Sequence, residues 1–136
     1  MVTLRVRPDD FVFSLQRHLF DVLAPRAVQA DWHISPLNPP DRKYEWFEAV
    51  GEAADEIEAV AEANTRLTGL ALATLAERVH QIIWGQFTGF LPGAPDAPWV
   101  TIRAIDSSFF DVTTDDEAVL GTIVSTFSEV ETIPAP

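Results

Sequence analysis

The chain contains no cysteine, which removes a disulfide framework, a thiolate zinc site and a cysteine nucleophile together. That absence fits a reducing compartment, and a cytoplasmic protein is the expectation. Lysine is almost missing too, with Lys43 the sole example, and the formal net charge is −12. A polyanion requires many Lys and Arg to neutralise its phosphates, so neither nucleic acid nor an anionic membrane is an expected partner. No run approaches the ~18 consecutive apolar residues of a membrane span. The most apolar early stretch, residues 11–24, is interrupted by Gln16, Arg17, His18 and Asp21, so no signal peptide is expected either. There is no Gly-x-Ser-x-Gly, no Gly-rich phosphate loop and no internal repeat.

What remains is 136 residues, 47% of them hydrophobic, enough for one folded domain with a real core. Its acidity is concentrated. Glu45, Glu48, Glu52, Asp55, Glu56, Glu58 and Glu62 succeed one another with no Lys or Arg among them. Residues 104–136 carry Asp106, Asp111, Asp115, Asp116, Glu117, Glu129 and Glu131, again without a base. Outside these two tracts the charges nearly balance.

The periodicities predict an α+β domain: a small, mainly antiparallel sheet with about four helices packed on it. Val2, Leu4 and Val6 alternate with polar residues as a strand does. Val12, Leu15, Leu19, Val22 and Leu23 recur at helical spacing, and Pro25 ends that helix. Pro36, Pro39 and Pro40 make residues 26–40 read as a loop, with room for one short strand. A helix rich in Ala and Leu follows Asn64. Residues 81–113 read as an antiparallel meander whose last turn holds Asp106, Ser107 and Ser108. Thr114 and Glu117 have capping-box spacing for a final helix, and Val130 and Ile133 suggest an edge strand.

The acidic tract gives the clearest helical pattern. On a wheel of about 100° per residue its seven acids occupy an arc of roughly 160°, while Trp46, Phe47, Val50, Ile57, Val60 and several alanines take the opposite arc of roughly 140°. An amphipathic helix over 41–64 is therefore predicted, lying outermost, with an acidic ridge facing water. Like charges one turn apart, such as Glu48 with Glu52, destabilise it by roughly 0.2–0.5 kcal/mol per pair, a cost that a cationic partner would relieve. Acidic faces also serve simply to keep a protein soluble, but such faces ordinarily mix signs.

Signals for catalysis are weak. Glu77 and His80 have Glu-x-x-His spacing, as in di-iron bundles, but three histidines leave no second copy of the motif. No metal site and no cofactor is predicted. His18 and His33 read as surface or packing residues. Adjacent residues on a strand face opposite ways, so Phe109 and Phe110 cannot both enter one core, and one of them offers an aromatic patch for a homodimer.

The function these features imply is a non-catalytic binding module that engages a basic partner protein through Glu45, Glu48, Glu52, Asp55, Glu56, Glu58 and Glu62. An inhibitor or immunity-type neutraliser of a bacterial toxin or nuclease fits the size and charge, because such an enzyme presents a basic groove. Two other classes stay open: a small enzyme or ligand-binding protein with a pocket near Glu77, His80 and Asp106, and a structural subunit that oligomerises through its aromatics.

Overall fold

Strict alternation of apolar and polar side chains builds one face of an antiparallel sheet. In β6 (Val100–Ile105), Val100, Ile102 and Ala104 are buried while Thr101, Arg103 and Ile105 are half exposed. The computed structural model describes residues 1–38 and 45–134. It is an α+β fold with an open, eight-stranded antiparallel sheet, considerably larger than the small sheet expected. The remaining strands are β1 (Val2–Val6), β2 (Asp31–Ser35), β3 (Glu48–Val50), β4 (Arg66–Thr68), β5 (Gln81–Phe90), β7 (Phe109–Thr114) and β8 (Val130–Ile133). Their order is β4-β2-β5-β6-β7-β1-β8, and β3 also pairs with β5.

The registers align the rows of the sheet. Phe87 stands beside Ile102 and Ile102 beside Val112, while Val112 in turn pairs with Leu4. This face also carries Trp32, Ile34, Phe110 and Val6, all with no exposed surface, and it forms one hydrophobic cluster with the helices. Those helices are α1 (Arg26–Gln29), α2 (Ala54–Glu62), α3 (Gly69–Ala76), α4 (Glu117–Thr126) and a π-helix, Leu15–Asp21. The opposite face is polar. Thr3 bonds Thr113 across strands at 2.8 Å, Arg5 grips Asp111, and Arg103 donates to Gln86.

The meander over β5, β6 and β7, the first strand, α4 and the last strand lie where periodicity placed them. The Asp106–Ser107 turn is tight: both residues have positive φ, 51° and 60°, and Ser108 N–H returns to the Ile105 carbonyl, the geometry that matches the twist of a hairpin. Helix α4 is capped by Asp116, whose carboxylate accepts from the N–H groups of Ala118 and Val119, whereas the capping-box reading had favoured Thr114. The Thr114 hydroxyl instead bonds the Trp99 carbonyl at 2.6 Å.

The helix predicted over 41–64 is corrected most. Residues 39–44 lie outside the described residues, and of the rest only Ala54–Glu62 is helical. Glu48–Val50 is strand, and Trp46 forms a bridge with Leu37. The reason is tertiary. Strand β5 is ten residues long, and β2 covers only its second half, pairing with Gln86–Phe90. Backbone groups at residues 81–84 need partners, and β3 supplies them. Gly51, at φ 129°, then turns the chain tightly against the backbone of His80 before α2 begins. Residues 26–40, read as mostly loop, contain α1 and the inner strand β2.

Candidate functional site

The seven acids of the 45–62 tract have unlike surroundings. Glu45 and Glu48 flank the Leu37–Trp46 bridge and the start of β3, Glu52 follows the Gly51 turn, and the other four ride on α2. They do not form one helical ridge. Ile57 and Ala61 bury α2, and Asp55, Glu56 and Glu62 project from it. Glu58 is half-buried and accepts from the Ala49 N–H at 3.3 Å, tying the helix to β3.

Two of the seven are matched by the chain's own guanidinium. Arg78 reaches Glu56 at 2.8 Å and Glu52 at 3.4 Å, and these carboxylates raise its already high pKa, the Glu56 hydrogen bond foremost. Among the described residues no base pairs with Glu45, Glu48, Asp55 or Glu62. Glu45 and Glu62 share a cleft of about 600 Å³ between the end of α2 and the polar sheet face. Its one described arginine, Arg103, is turned to Gln86 and Thr113. On the other side, Glu45, Glu58 and Glu62 border a second recess with Pro36, Trp46 and Phe47. These carboxylates meet no further His, Asp or Glu in metal-binding geometry among the described residues.

The second acidic tract is more fully matched, although Asp106, Glu117 and Glu129 have no basic partner among the described residues. Asp111 is bound by Arg5, Glu131 by Arg7, Asp116 by Arg26 and Asp115 by the N-terminal ammonium. Strand β1 lies between β7 and β8, so bases from the start of the chain reach acids near its end. Burial opposes ionisation of Asp116, but hydrogen bonds from Arg26, Trp99 and the α4 amides outweigh it and lower its pKa.

Glu77 and His80 line one shallow cleft of about 530 Å³ with Arg78 and Glu52, while Asp106 sits apart in its turn. Phe110 is wholly buried beside Phe13, their centroids 4.8 Å apart. Phe109 faces the opposite side and is half-buried beneath the guanidinium groups of Arg5 and Arg7, 3.9 and 5.6 Å from its ring. No helix among the described residues is long and apolar enough to cross a membrane.

One residue that spacing alone dismissed stands out. His18 lies in the π-helix, only 8% exposed, in a mutually packed trio with Phe13 and Phe110, whose centroids are 6.0 and 5.6 Å from its ring and 4.8 Å from each other, and Phe127 meets it at a steep angle. Its Nδ1 accepts the Ser14 N–H at 3.1 Å. Burial pushes its pKa down to about 4, and nearby Arg17 adds to that. A π-turn in a helix often marks a functional position, but no sequence pattern announces one here. No known protein family, curated protein or solved structure matches this chain.

Proposed function

We propose that this protein is a non-catalytic binding module that engages a basic partner protein through the carboxylates around the end of α2. The observation that carries the reading is the contrast between the two acidic tracts. Arginines and the N-terminus of the same chain match four of the second tract's seven acids, Asp111, Asp115, Asp116 and Glu131, leaving Asp106, Glu117 and Glu129, whereas Arg78 matches two of the first tract's seven and Glu45, Glu48, Asp55 and Glu62, clustered near α2, have no basic partner among the described residues. Unmatched carboxylates beside a cleft attract a cationic surface over about a Debye length and select against an anionic one. The sharper form of the proposal is an inhibitor of the immunity type, whose acidic surface plugs the basic groove of a toxin or nuclease. The small size of the domain and the position of Glu45 and Glu62 on a concave rim support that form.

The test is affinity capture from native lysate with the wild-type protein and with Glu45→Lys/Glu62→Lys. A basic protein that elutes with rising salt and is lost from the variant supports the reading. Capture that is indifferent to both salt and charge reversal overturns it, and so does an eluate with no cationic protein. Glu52→Lys/Glu56→Lys is the comparison, because those acids are already engaged by Arg78.

A further inference from the structure

An open sheet leaves strand edges whose backbone groups have no neighbouring strand, and proteins ordinarily guard them. The edges at β3 and β4 are guarded. On β3 a bulge falls between Glu48 and Ala49, and the Ala49 N–H is already given to Glu58. Strand β4 is three residues long, carries Arg66, and runs straight into α3, whose first turn Thr68 caps. Strand β8 differs from both: it has no base, no proline and no register shift against β1.

The register fixes which of its backbone groups are spare. Arg7 N–H donates to the Glu129 carbonyl at 3.1 Å, and Arg5 faces Glu131 and Thr3 faces Ile133 in the same phase. Those pairs direct the N–H and C=O groups of Glu129, Glu131 and Ile133 toward β1. Val130 and Thr132, opposite Val6 and Leu4, therefore turn theirs outward, a donor and an acceptor each, about 7 Å apart along the strand. No described residue bonds to these groups.

The side chains decide what fits. Glu129 and Glu131 are exposed on one face of this edge, and no Lys or Arg occurs from residue 104 onward. Arg7 answers Glu131, and no described base answers Glu129. On the other face Val130 packs half-buried against the core, and Thr132 is exposed beside it. A strand laid here would meet carboxylates at alternate positions and β-branched side chains between them. A second copy is a poor occupant, because two β8 strands would bring the glutamates of both into one seam.

We propose that β8 is a docking edge for an extended segment of a partner protein that alternates basic and β-branched residues and adds to the sheet as a further strand. The β-branched residues lie opposite Val130 and Thr132 and exchange backbone hydrogen bonds with them, while the bases lie opposite Glu129 and Glu131. This edge is separate from the carboxylates around α2, and its failure would leave the partner-binding proposal untouched.

The test is ¹⁵N-edited NMR of the full chain titrated with acetyl-Lys-Val-Lys-Val-Lys-amide, a peptide that reads the same in either strand direction. Saturable shifts of the Val130 and Thr132 amides, slowed hydrogen exchange at both, and a Kd on the order of 1 mM or below are expected. The peptide with Glu in place of each Lys, and the basic peptide with both Val nitrogens methylated, are expected to bind at least about tenfold more weakly. Thr132→Pro removes an N–H that β1 does not use, so the fold is expected to survive while binding is lost. Glu129→Lys alters only an exposed side chain and is expected to weaken the basic peptide about threefold or more. The assignment fails if the two amides do not saturate by about 10 mM, if N-methylation changes nothing, or if binding persists in Thr132→Pro and vanishes in Glu45→Lys/Glu62→Lys. It fails too if the same amides shift on raising the protein concentration alone, which would give the edge to a second copy.

Discussion

The Ser14 N–H donates to His18 Nδ1 at 3.1 Å, and this bond opposes protonation of the ring because an imidazolium would have to turn an N–H toward another N–H. Burial acts in the same direction and brings the pKa to about 4. Linkage gives the sign. Between the ordinary histidine value near 6.5 and about 4, the unfolded chain binds a proton that the folded chain refuses, so stability falls as pH falls through that window. A loss on the order of 2 kcal/mol between pH 7 and pH 4.5 is expected in urea unfolding. His18→Phe keeps the ring stack and removes the titration, so its stability is expected to be flatter across that interval. An equal decline in both proteins would refute the assignment.

Asp116 gathers more roles than any other acid among the described residues. One oxygen caps α4 through Ala118 and Val119, and the other receives the Trp99 indole N–H at 2.9 Å and the Arg26 guanidinium. Asp116→Ala is expected to cost about 2–3 kcal/mol, the sum of a lost cap and a partly buried charge-assisted pair. It also leaves Arg26 over the Trp99 ring without its carboxylate. Trp99 fluorescence is therefore expected to change in the native baseline, before any unfolding. A shift in midpoint with no change in that baseline would contradict the geometry.

The contrast between Asp116 and Thr114 shows where sequence reading stops. Both are good capping types near the start of α4, and only the path of β7 decides that Thr114 is drawn to Trp99 while Asp116 reaches the helix. Strands with strict alternation, β1 and β6 above all, were legible because one face is buried and the other wet. The 45–62 tract misled because its apolar residues satisfy two periods. Phe47 and Ala49 alternate as a strand requires, yet Phe47, Val50 and Ile57 share a helical arc, and the unpaired half of β5 settles the choice. Charge was legible as a total and not as a pattern. The pairing of Arg5 with Asp111 spans more than a hundred residues, and no local window contains it. That His18 is a packing residue rather than a surface one is hidden from local sequence for the same reason, since its environment comes from Phe13, Phe110 and Phe127 together.

Two glycines in helices make opposite expectations. A Cβ on Gly69 would collide with the backbone carbonyls of Val28 and Ala30, and backbone cannot rotate away. Gly69→Ala is expected to destabilise by about 3 kcal/mol and to separate α3 from α1. Gly121 in α4 is exposed and a Cβ there meets nothing within 4 Å. Gly121→Ala is expected to stabilise by roughly 1 kcal/mol, the intrinsic helical preference alone. Denaturant midpoints of the two variants check both signs, and a stable Gly69→Ala would disprove the close approach of α3 to α1.

Arg5 does two things on the polar sheet face. It forms a bidentate pair with Asp111, at 2.9 and 3.0 Å, and lays the same guanidinium over Phe109 at 3.9 Å. Asp111 is mostly buried, so Asp111→Ala leaves a partly buried cation without its anion and is expected to cost about 2 kcal/mol. Arg5→Ala leaves the anion instead and also uncovers the aromatic ring. If Arg5 shields Phe109 from self-association, sedimentation should show the wild type unchanged over a broad concentration range and Arg5→Ala forming dimers. The double variant Arg5→Ala/Phe109→Ser should return to the wild-type distribution. A wild-type dimer lost in Phe109→Ser would instead make that ring an interface despite its arginine cover, because the guanidinium would then be part of the contact and not a shield against it.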